Sequence, residues 1–277
     1  MDFRYSLVGL LIGVLVGLTG MGGGSLLAPI LILVFRIPPV WAVGTDVAYS
    51  TVTKALGSVV HIRQKHVNFK IALWLACGSV PATLLSVTLV QYIRKHYGSV
   101  VNGVILHAIG FTLILVAVLL VAKPFLMRRV DQKRLEAQKQ AALAGEISSE
   151  LASAQNRWEK RYRPLVTALI GAFVGFLVGL TSVGSGTLII VSLAFLFPRL
   201  TAKELVGTDI FQAFMLLAAG AIAYITAGTI NWHIVGLLLI GSLPGVLVGS
   251  RLSKFIPERY MRPVLAVVLV ISGWKLI

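Results

Sequence analysis

Gly13–Ser25 reads GVLVGLTGMGGGS, and Gly175–Thr187 reads GFLVGLTSVGSGT. The two stretches are copies of each other, and both lie in apolar surroundings. The tetrapeptide VGTD occurs at Val43–Asp46 and again, 163 positions later, at Val206–Asp209. The same spacing relates Asn68 to Asn231 and Gly78–Pro81 (GSVP) to Gly241–Pro244 (GSLP). A duplicated, glycine-interrupted and apolar sequence is typical of secondary transporters.

The composition places the chain in a lipid bilayer. Of its 277 residues, 57% are hydrophobic and 13% are charged, whereas soluble domains carry about 25% charged residues. Several apolar runs exceed the roughly 20 residues that a helix needs to cross a membrane. The runs are continuous and do not alternate, which favours helices over a β-barrel. We therefore predict an all-α integral membrane protein.

The formal net charge of +15 does not by itself indicate a nucleic-acid partner. Basic residues of membrane proteins collect in cytoplasmic loops beside anionic lipid, and residues 123–163 fit that description. No basic face interleaved with aromatic residues accompanies them, so we expect no nucleic acid to bind. The lone cysteine, Cys77, excludes an intrachain disulfide and a cysteine-based metal cluster. We expect no cofactor and no metal.

Hydropathy divides the chain into two halves around a polar linker. Residues 1–122 form the first membrane repeat, 123–163 a basic cytoplasmic linker, and 164–277 the second membrane repeat. The linker is rich in Ala, Glu, Gln, Lys and Arg, which predicts a partly helical, solvated segment. The eight hydrophobic segments lie at about 6–35, 44–62, 70–92, 100–122, 164–197, 205–227, 232–254 and 261–276.

Segments 6–35 and 164–197 are too long for one simple span, and glycine with serine or threonine interrupts each near its middle. Two half-helices that meet at an unwound loop explain both the length and the interruption. One long, kinked helix is the alternative. If all eight segments cross the membrane, the repeats are parallel. If the two interrupted segments are re-entrant hairpins, each half has three crossings and the repeats are inverted.

The distribution of basic residues favours the inverted arrangement, because cytoplasmic loops are enriched in lysine and arginine. With the linker inside, inverted repeats leave few basic residues outside, mainly Arg4, Arg36, Arg94 and Lys95. The larger set then lies inside, namely Arg63, Lys65, Lys70, Arg199, Lys203, Arg251, Lys254, Arg259 and Arg262. We therefore predict two inverted repeats, each of about four hydrophobic segments and each starting with a broken or re-entrant helix.

The two glycine-rich interruptions are candidate anion sites. Irregular backbone at membrane depth is tolerated where it is buried in protein or lines a polar cavity. A new helix follows each interruption, and its free N–H groups and partial positive charge suit an anion. Close helix packing through small residues is the alternative interpretation. The candidate substrate-binding residues are Gly22, Gly23, Gly24, Ser25, Gly184, Ser185, Gly186 and Thr187.

Asp46 and Asp209 are the acids that fall clearly within the apolar repeats, at equivalent positions of VGTD. Carboxylates inside a membrane are costly and usually functional. Both are therefore candidates for relaying a proton, binding a coupling cation or orienting a neighbouring base. The alternative is that Thr45 with Asp46, and Thr208 with Asp209, cap the helices that follow them.

Lys54 breaks the symmetry between the halves, because its counterpart in the second half is Leu217. It lies about two helical turns after Asp46. There it could neutralise an anionic substrate or pair with Asp46, while snorkelling or a fixed ion pair is the alternative. His61, in the same segment, is a further coupling candidate because histidine titrates near neutral pH.

Four motifs carry a family resemblance: GLTGMGGGSLLAP at residues 17–29, VGTD, the pair Thr53-Lys54, and HIRQKHVNF at residues 61–69. With them, the chain resembles the TauE/SafE family of sulfite exporters, also called toluene-sulfonate uptake permeases, over both halves. The resemblance implies a multi-pass transporter of the bacterial inner membrane for small sulfur-containing or organic anions. It places functional weight on Gly22–Ser25 and on the less glycine-rich copy, Gly184–Thr187.

Together these observations favour a secondary transporter of a small anion, either a sulfur oxyanion or an organosulfonate. It would work by alternating access with protons as the candidate coupling ion, and the substrate would bind between the repeats. A channel-like anion pathway and a transporter of non-sulfur organic anions are the alternatives. The sequence has no HExxH zinc motif, GxSxG elbow or nucleotide-binding loop, so we expect neither an enzyme nor an ATP-driven pump. A homo-oligomer is compatible with the sequence.

Overall fold

The computed structural model of this chain describes residues 2–19, 24–98, 100–143, 149–197, 200–252 and 258–277, and these ranges contain no strand. The backbone stays helical through most of the predicted linker. The ten helices of these ranges are α1 (Asp2–Thr19), α2 (Gly24–Leu33), α3 (Pro39–Arg63), α4 (Phe69–Tyr97), α5 (Val100–Leu143), α6 (Ser149–Thr181), α7 (Ser185–Leu196), α8 (Ala202–Thr226), α9 (Trp232–Leu252) and α10 (Glu258–Leu276).

Three of the helices begin at residues that stabilise helix starts. α3 has Pro39 in its first turn, where the missing N–H costs no intrahelical hydrogen bond. The Asn68 side chain accepts a hydrogen bond from Ile71 N–H at 3.3 Å at the start of α4. Asn231 does the same for Ile234 N–H at 3.2 Å at the start of α9. Each asparagine satisfies a backbone donor that has no partner inside its helix.

Five helical stretches of the described residues are long and apolar enough to cross a bilayer, namely Phe69–Tyr97, Val100–Ala122, Tyr162–Thr181, Ala202–Thr226 and Trp232–Leu252. α3 is similarly long, with 25 residues, but it is less apolar. Large apolar side chains are exposed on the outside of the helices, as expected of a lipid-facing surface; examples are Leu85, Phe111, Ile240 and Trp274. The prediction of an all-α, multi-pass membrane protein is confirmed.

The structure describes the first long segment as α1 up to Thr19 and α2 from Gly24 onward. The candidate residues Gly22 and Gly23 belong to positions 20–23, which lie outside the described residues.

The second long segment is interrupted at the position that the sequence predicts. α6 ends at Thr181 and α7 begins at Ser185. Between them, Ser182 has a φ of 59° and Gly184 a φ of 94°. Both values are left-handed backbone conformations, which end a right-handed helix and which cost a serine more than a glycine.

The two halves exchange packing partners. α1 of the first half packs along α9 of the second, and α6 of the second half packs along α4 of the first. Gly13 lies against the backbone of Ser242 in one pair, and Gly175 lies against the backbone of Ser79 in the other. A Cβ atom at either glycine would collide with that backbone. Glycine therefore permits the close approach of both helix pairs.

α3 and α8, which each carry a copy of VGTD, pack against each other and run antiparallel. Val47 near the start of α3 lies next to Gly220 near the end of α8. Further along α3, Gly57 lies next to Ile210, which is near the start of α8. Positions on α8 therefore decrease as positions on α3 increase.

Thr45 and Thr208 bind the starts of helices in the opposite half. Thr45 Oγ1 accepts a hydrogen bond from Asn231 N–H at 3.2 Å, just before α9. Thr208 Oγ1 accepts one from Asn68 N–H at 3.0 Å, just before α4. The alternative that the Thr-Asp pairs cap the helices that follow them is wrong, because α3 and α8 begin upstream and contain both pairs.

The double substitution T45V/T208V is expected to lower the free energy of unfolding by about 1–3 kcal/mol per site, because each valine leaves a backbone N–H without its acceptor. Thermal unfolding in detergent, followed by tryptophan fluorescence, measures the effect. The control is Thr88→Val, whose hydroxyl is exposed and bonds only to Leu85 O within α4. A melting temperature of T45V/T208V equal to that of the control would contradict this prediction.

Candidate functional site

A buried ion pair joins the two halves at the contact between α3 and α8. Lys54 Nζ lies 3.9 Å from Asp209 Oδ2, and the two residues are 8% and 2% exposed. This distance is longer than that of a hydrogen bond, so the two charges attract each other without forming a hydrogen bond. The sequence predicts that Lys54 neutralises an anion or pairs with Asp46, with snorkelling or a fixed ion pair as the alternative. The structure pairs Lys54 with Asp209 of the other half and not with Asp46. Its role towards an anion stays a prediction.

The start of α7 faces the same carboxylate. A Cβ atom at Gly186, in the first turn of α7, would lie 3.2 Å from Asp209 Oδ2. The left-handed Gly184 precedes this turn, Ser185 and Gly186 are half-buried, and Thr187 is buried. The first-turn N–H groups of a helix have no partner within it, and they carry partial positive charge. The helix start that was predicted to bind an anion therefore lies beside an anionic group of the protein itself.

Asp46, the counterpart of Asp209, has different surroundings. It is fully buried, and its Oδ1 accepts a hydrogen bond from Ser50 Oγ at 3.1 Å. Ser182, from the interruption before α7, and the backbone of Ala28 in α2 lie beside it. Asp46 Oδ2 and Ser182 Oγ have no hydrogen-bond partner in the part of the chain that the structure describes. Within that part, Asp46 also has no cationic partner.

The two aspartates differ because three sequence positions around them differ between the halves. Asp209 has Lys54 beside it, and the counterpart of Lys54 in the second half is Leu217. Asp46 has Ser50 and Ser182 beside it; the counterpart of Ser50 is Ala213, and the counterpart of Ser182 is Gly20. Asp46 therefore lies beside two serine hydroxyl groups, and Asp209 lies beside the Lys54 ammonium group.

The first glycine-rich stretch is only partly described. The described part of α2 begins at Gly24, directly after the positions outside the described residues, so the predicted helix start stays a prediction. The Ser25 side chain, like Gly22 and Gly23, lies outside the described residues. Whether these residues line the same site as the α7 start stays a prediction.

His61 lies towards the end of α3, on the helix face that carries Lys54 and Ser58. It is half-buried, and its ring centroid lies 5.8 Å from that of His66. It stands about two helical turns from Lys54, so it is a neighbour of the ion pair and not a member of it. No group of three His, Cys, Asp or Glu side chains that could hold a metal occurs in the described ranges.

Buried polar contacts between α8 and the first half were not predicted from sequence. Gln212 Nε2 donates a hydrogen bond to Ser79 Oγ at 2.6 Å. At the equivalent positions with the halves interchanged, Tyr49 of α3 in the first half lies beside Ser242 of α9 in the second. The signal was available in sequence, because Ser79 and Ser242 are the serines of the matched GSVP and GSLP motifs, and Tyr49 and Gln212 are also 163 positions apart.

Comparisons with known proteins agree with the membrane architecture. The family model described as "Sulfite exporter TauE/SafE" matches residues 5–276. "Probable membrane transporter protein YjnA" of Bacillus subtilis (strain 168) is 38% identical over 280 residues, with both chains covered completely. "Probable membrane transporter protein YunE" of the same organism is 25% identical over 279 residues, covering 98% of this chain and 95% of the relative.

A further relative comes from a different organism. "Probable membrane transporter protein MJ0441" of Methanocaldococcus jannaschii is 24% identical over 281 residues, covering 96% of this chain and 92% of the relative. No solved structure matches the chain. The family model spans both halves, including Lys54 and the two aspartates at equivalent positions, Asp46 and Asp209. The chain therefore belongs to the TauE/SafE sulfite exporter family of multi-pass membrane transporters.

Proposed function

We propose that the chain is a secondary transporter that moves a small anion across the membrane by alternating access. The anion is a sulfur oxyanion or an organosulfonate of the size of sulfite. The family name supports the substrate class. The observation that carries the proposal is the buried Lys54–Asp209 pair, since a lysine inside a membrane protein is costly unless it serves a ligand or a partner.

The anion binds where Asp209 now interacts with Lys54. The ammonium group supplies full positive charge, and the start of α7 supplies partial charge from Gly186 and its neighbours. A sulfonate or sulfite group offers three oxygens that can accept hydrogen bonds from both sources. The 3.9 Å separation of Nζ and Oδ2 favours exchange, because Lys54 and Asp209 are too far apart to hydrogen bond to each other.

The two halves act as inverted repeats in this proposal. Support comes from α3 and α8, which are copies in sequence and pack antiparallel. Further support comes from the reciprocal bonds of Thr45 to Asn231 and of Thr208 to Asn68. The two interrupted segments then enter the membrane from opposite sides as re-entrant hairpins, and rocking of one half against the other exposes the site to each side in turn.

Sulfite and isethionate (a monovalent sulfonate) are expected to raise the melting temperature of the purified protein, whereas chloride and acetate at equal ionic strength are not. A ligand present at about 100 times its dissociation constant stabilises a protein by about 2.7 kcal/mol. Counterflow of radiolabelled sulfite into proteoliposomes then tests transport. An equal response to all four salts, or flux that never saturates, would contradict a carrier with one selective site.

A further inference from the structure

We propose that Asp209 is a tethered competitor of the transported anion, and that its release from Lys54 couples each anion to one proton. This inference rests on the proposed function and deepens it. When no anion is bound, the Asp209 carboxylate interacts with the Lys54 ammonium group. When an anion takes its place, Asp209 binds a proton, and anion and proton cross the membrane together.

The count of charges in the buried pair supports this coupling. Lys54 and Asp209 are both buried, and their charges cancel in the structure. A monovalent anion that bound beside Lys54 while Asp209 stayed ionised would place two negative charges and one positive charge in the buried site, an excess of one buried negative charge. Such a charge costs several kcal/mol. A proton on Asp209 removes it, so that the empty and the loaded carrier have the same net charge.

Asp46 does not take this role, although it occupies the equivalent position. It has no cationic partner among the described residues, and its neighbours are the hydroxyl groups of Ser50 and Ser182. Anion binding at Lys54 therefore changes nothing in its immediate surroundings. A carboxyl group that is fully buried without a positive charge is neutral in both states of the carrier. A proton on Oδ2 can be donated to Ser182 Oγ, which satisfies two buried atoms that lack partners.

The elements around Asp209 contain further titratable groups. α7 has none, and α3 contributes Lys54 and, farther along the helix, Asp46, Tyr49, His61 and Arg63. The remaining groups of the neighbouring elements whose side chains the structure describes are Lys65 and His66 in the connection after α3, Lys70, Cys77, Tyr92, Arg94, Lys95, His96 and Tyr97 in α4, Tyr162 and Arg163 in α6, and Lys203, Glu204 and Tyr224 within α8. Of all these, Lys54 is the group within ion-pair distance of Asp209.

The exchange balances in charge and in atoms. The contact between Lys54 Nζ and Asp209 Oδ2 is lost, and a contact between Nζ and an oxygen of the anion replaces it. One O–H bond forms on the Asp209 carboxyl group, with a proton from the aqueous side to which the site is open. After the halves rock, the anion leaves, the O–H bond breaks towards the other side, and the ion pair forms again.

The first experiment needs no anion. Infrared spectroscopy of purified protein detects protonated carboxyl groups. Lys54→Met mimics the release of Asp209, so this variant is expected to gain a protonated carboxyl band that the wild type lacks and that K54M/D209N lacks. Asp46→Asn is expected to lose a different band, which the wild type shows. A Lys54→Met spectrum without the added band, or an added band that persists in K54M/D209N, would overturn the proton assignment.

The second experiment measures linkage between isethionate and protons. The charge of this sulfonate is constant near neutral pH, so any pH dependence belongs to the protein. The wild-type dissociation constant is expected to rise about tenfold for each unit of pH, as for one proton taken up per anion. Asp209→Asn is expected to abolish this slope. In Asp46→Asn, any loss of affinity is expected to be the same at every pH.

The two experiments separate failure of the coupling from failure of the proposed function. A slope that persists in Asp209→Asn, or that disappears in Asp46→Asn, overturns the assignment of the proton to Asp209. Absence of binding of isethionate and sulfite to the wild type contradicts the proposed substrate class. In that case the infrared spectra still decide whether Asp209 takes up a proton when Lys54 is removed.

Discussion

Lys54→Met is expected to abolish sulfite and isethionate transport in proteoliposomes. Methionine matches the length of the lysine stem and removes its charge. Truncating one partner of a buried charge pair costs about 2–5 kcal/mol, which corresponds to a loss of affinity of about 30- to 5,000-fold. Uptake of radiolabelled sulfite, normalised to the amount of folded protein in the vesicles, measures the effect.

A loss of transport by this variant has to be separated from a loss of fold. Lys54→Met leaves Asp209 buried without its partner, and we expect a destabilisation of up to about 3–5 kcal/mol. K54M/D209N removes both charges, so it is expected to recover most of the stability but none of the transport. Lys275→Met, at the exposed end of α10, is the matched control. Wild-type uptake by Lys54→Met would exclude Lys54 from the site.

Gly241→Ala is expected to destabilise the protein. A Cβ atom at Gly241 would collide with the carbonyl oxygen of Ser6 in α1. The neighbour is backbone and cannot rotate away, so α1 and α9 must separate along the whole contact. Overpacking of this kind costs about 1–3 kcal/mol or more. The yield of monodisperse protein in detergent and its melting temperature measure the loss.

Gly236→Ala is the matched control, because it lies in the same helix and nothing is within 4 Å of its added Cβ. Alanine favours a helix over glycine by about 0.8–1.0 kcal/mol, so this variant is expected to be as stable as the wild type or slightly more stable. Equal melting temperatures for Gly241→Ala and Gly236→Ala would show that close contact of α1 and α9 is not required.

The sequence contains enough information for the helices but not for their pairing. Apolar runs predict membrane helices because lipid leaves the backbone no other partner. The left-handed backbone of Ser182 and Gly184 explains why α6 ends at Thr181 and a new helix begins at Ser185. The pairing of α1 with α9 and of α6 with α4 cannot be predicted in this way, because α4 and α9 carry matched motifs, GSVP and GSLP. α1 and α6 also carry the same glycine spacing. The glycines of α1 and of α6 could each pack against α4 or α9, so the sequence pattern alone does not decide which helices pair.

The pairing of Lys54 illustrates the same limit. Asp46 and Lys54 are eight positions apart on one helix, which is about 12 Å along its axis. That distance is too long for a direct ion pair, so pairing with Asp46 could have been excluded from sequence. The choice of Asp209 needed the antiparallel contact of α3 and α8. The separate surroundings of the two aspartates follow from Ser50, which lies one turn after Asp46 in α3, and from Ser182, which lies beside Asp46 only when both halves are assembled.

The exchange of packing partners has a consequence for synthesis of the protein. Ser6 Oγ donates a hydrogen bond to Leu237 O at 3.2 Å, although the two residues are 231 positions apart. α1 therefore leaves the ribosome long before α9 exists, and its row of glycines faces lipid in the meantime. If translation stops before α9, through a nonsense codon or stalling, the first half of the protein is not a complete folded unit. Its α1 lacks the helix against which the α1 glycines pack in the complete protein.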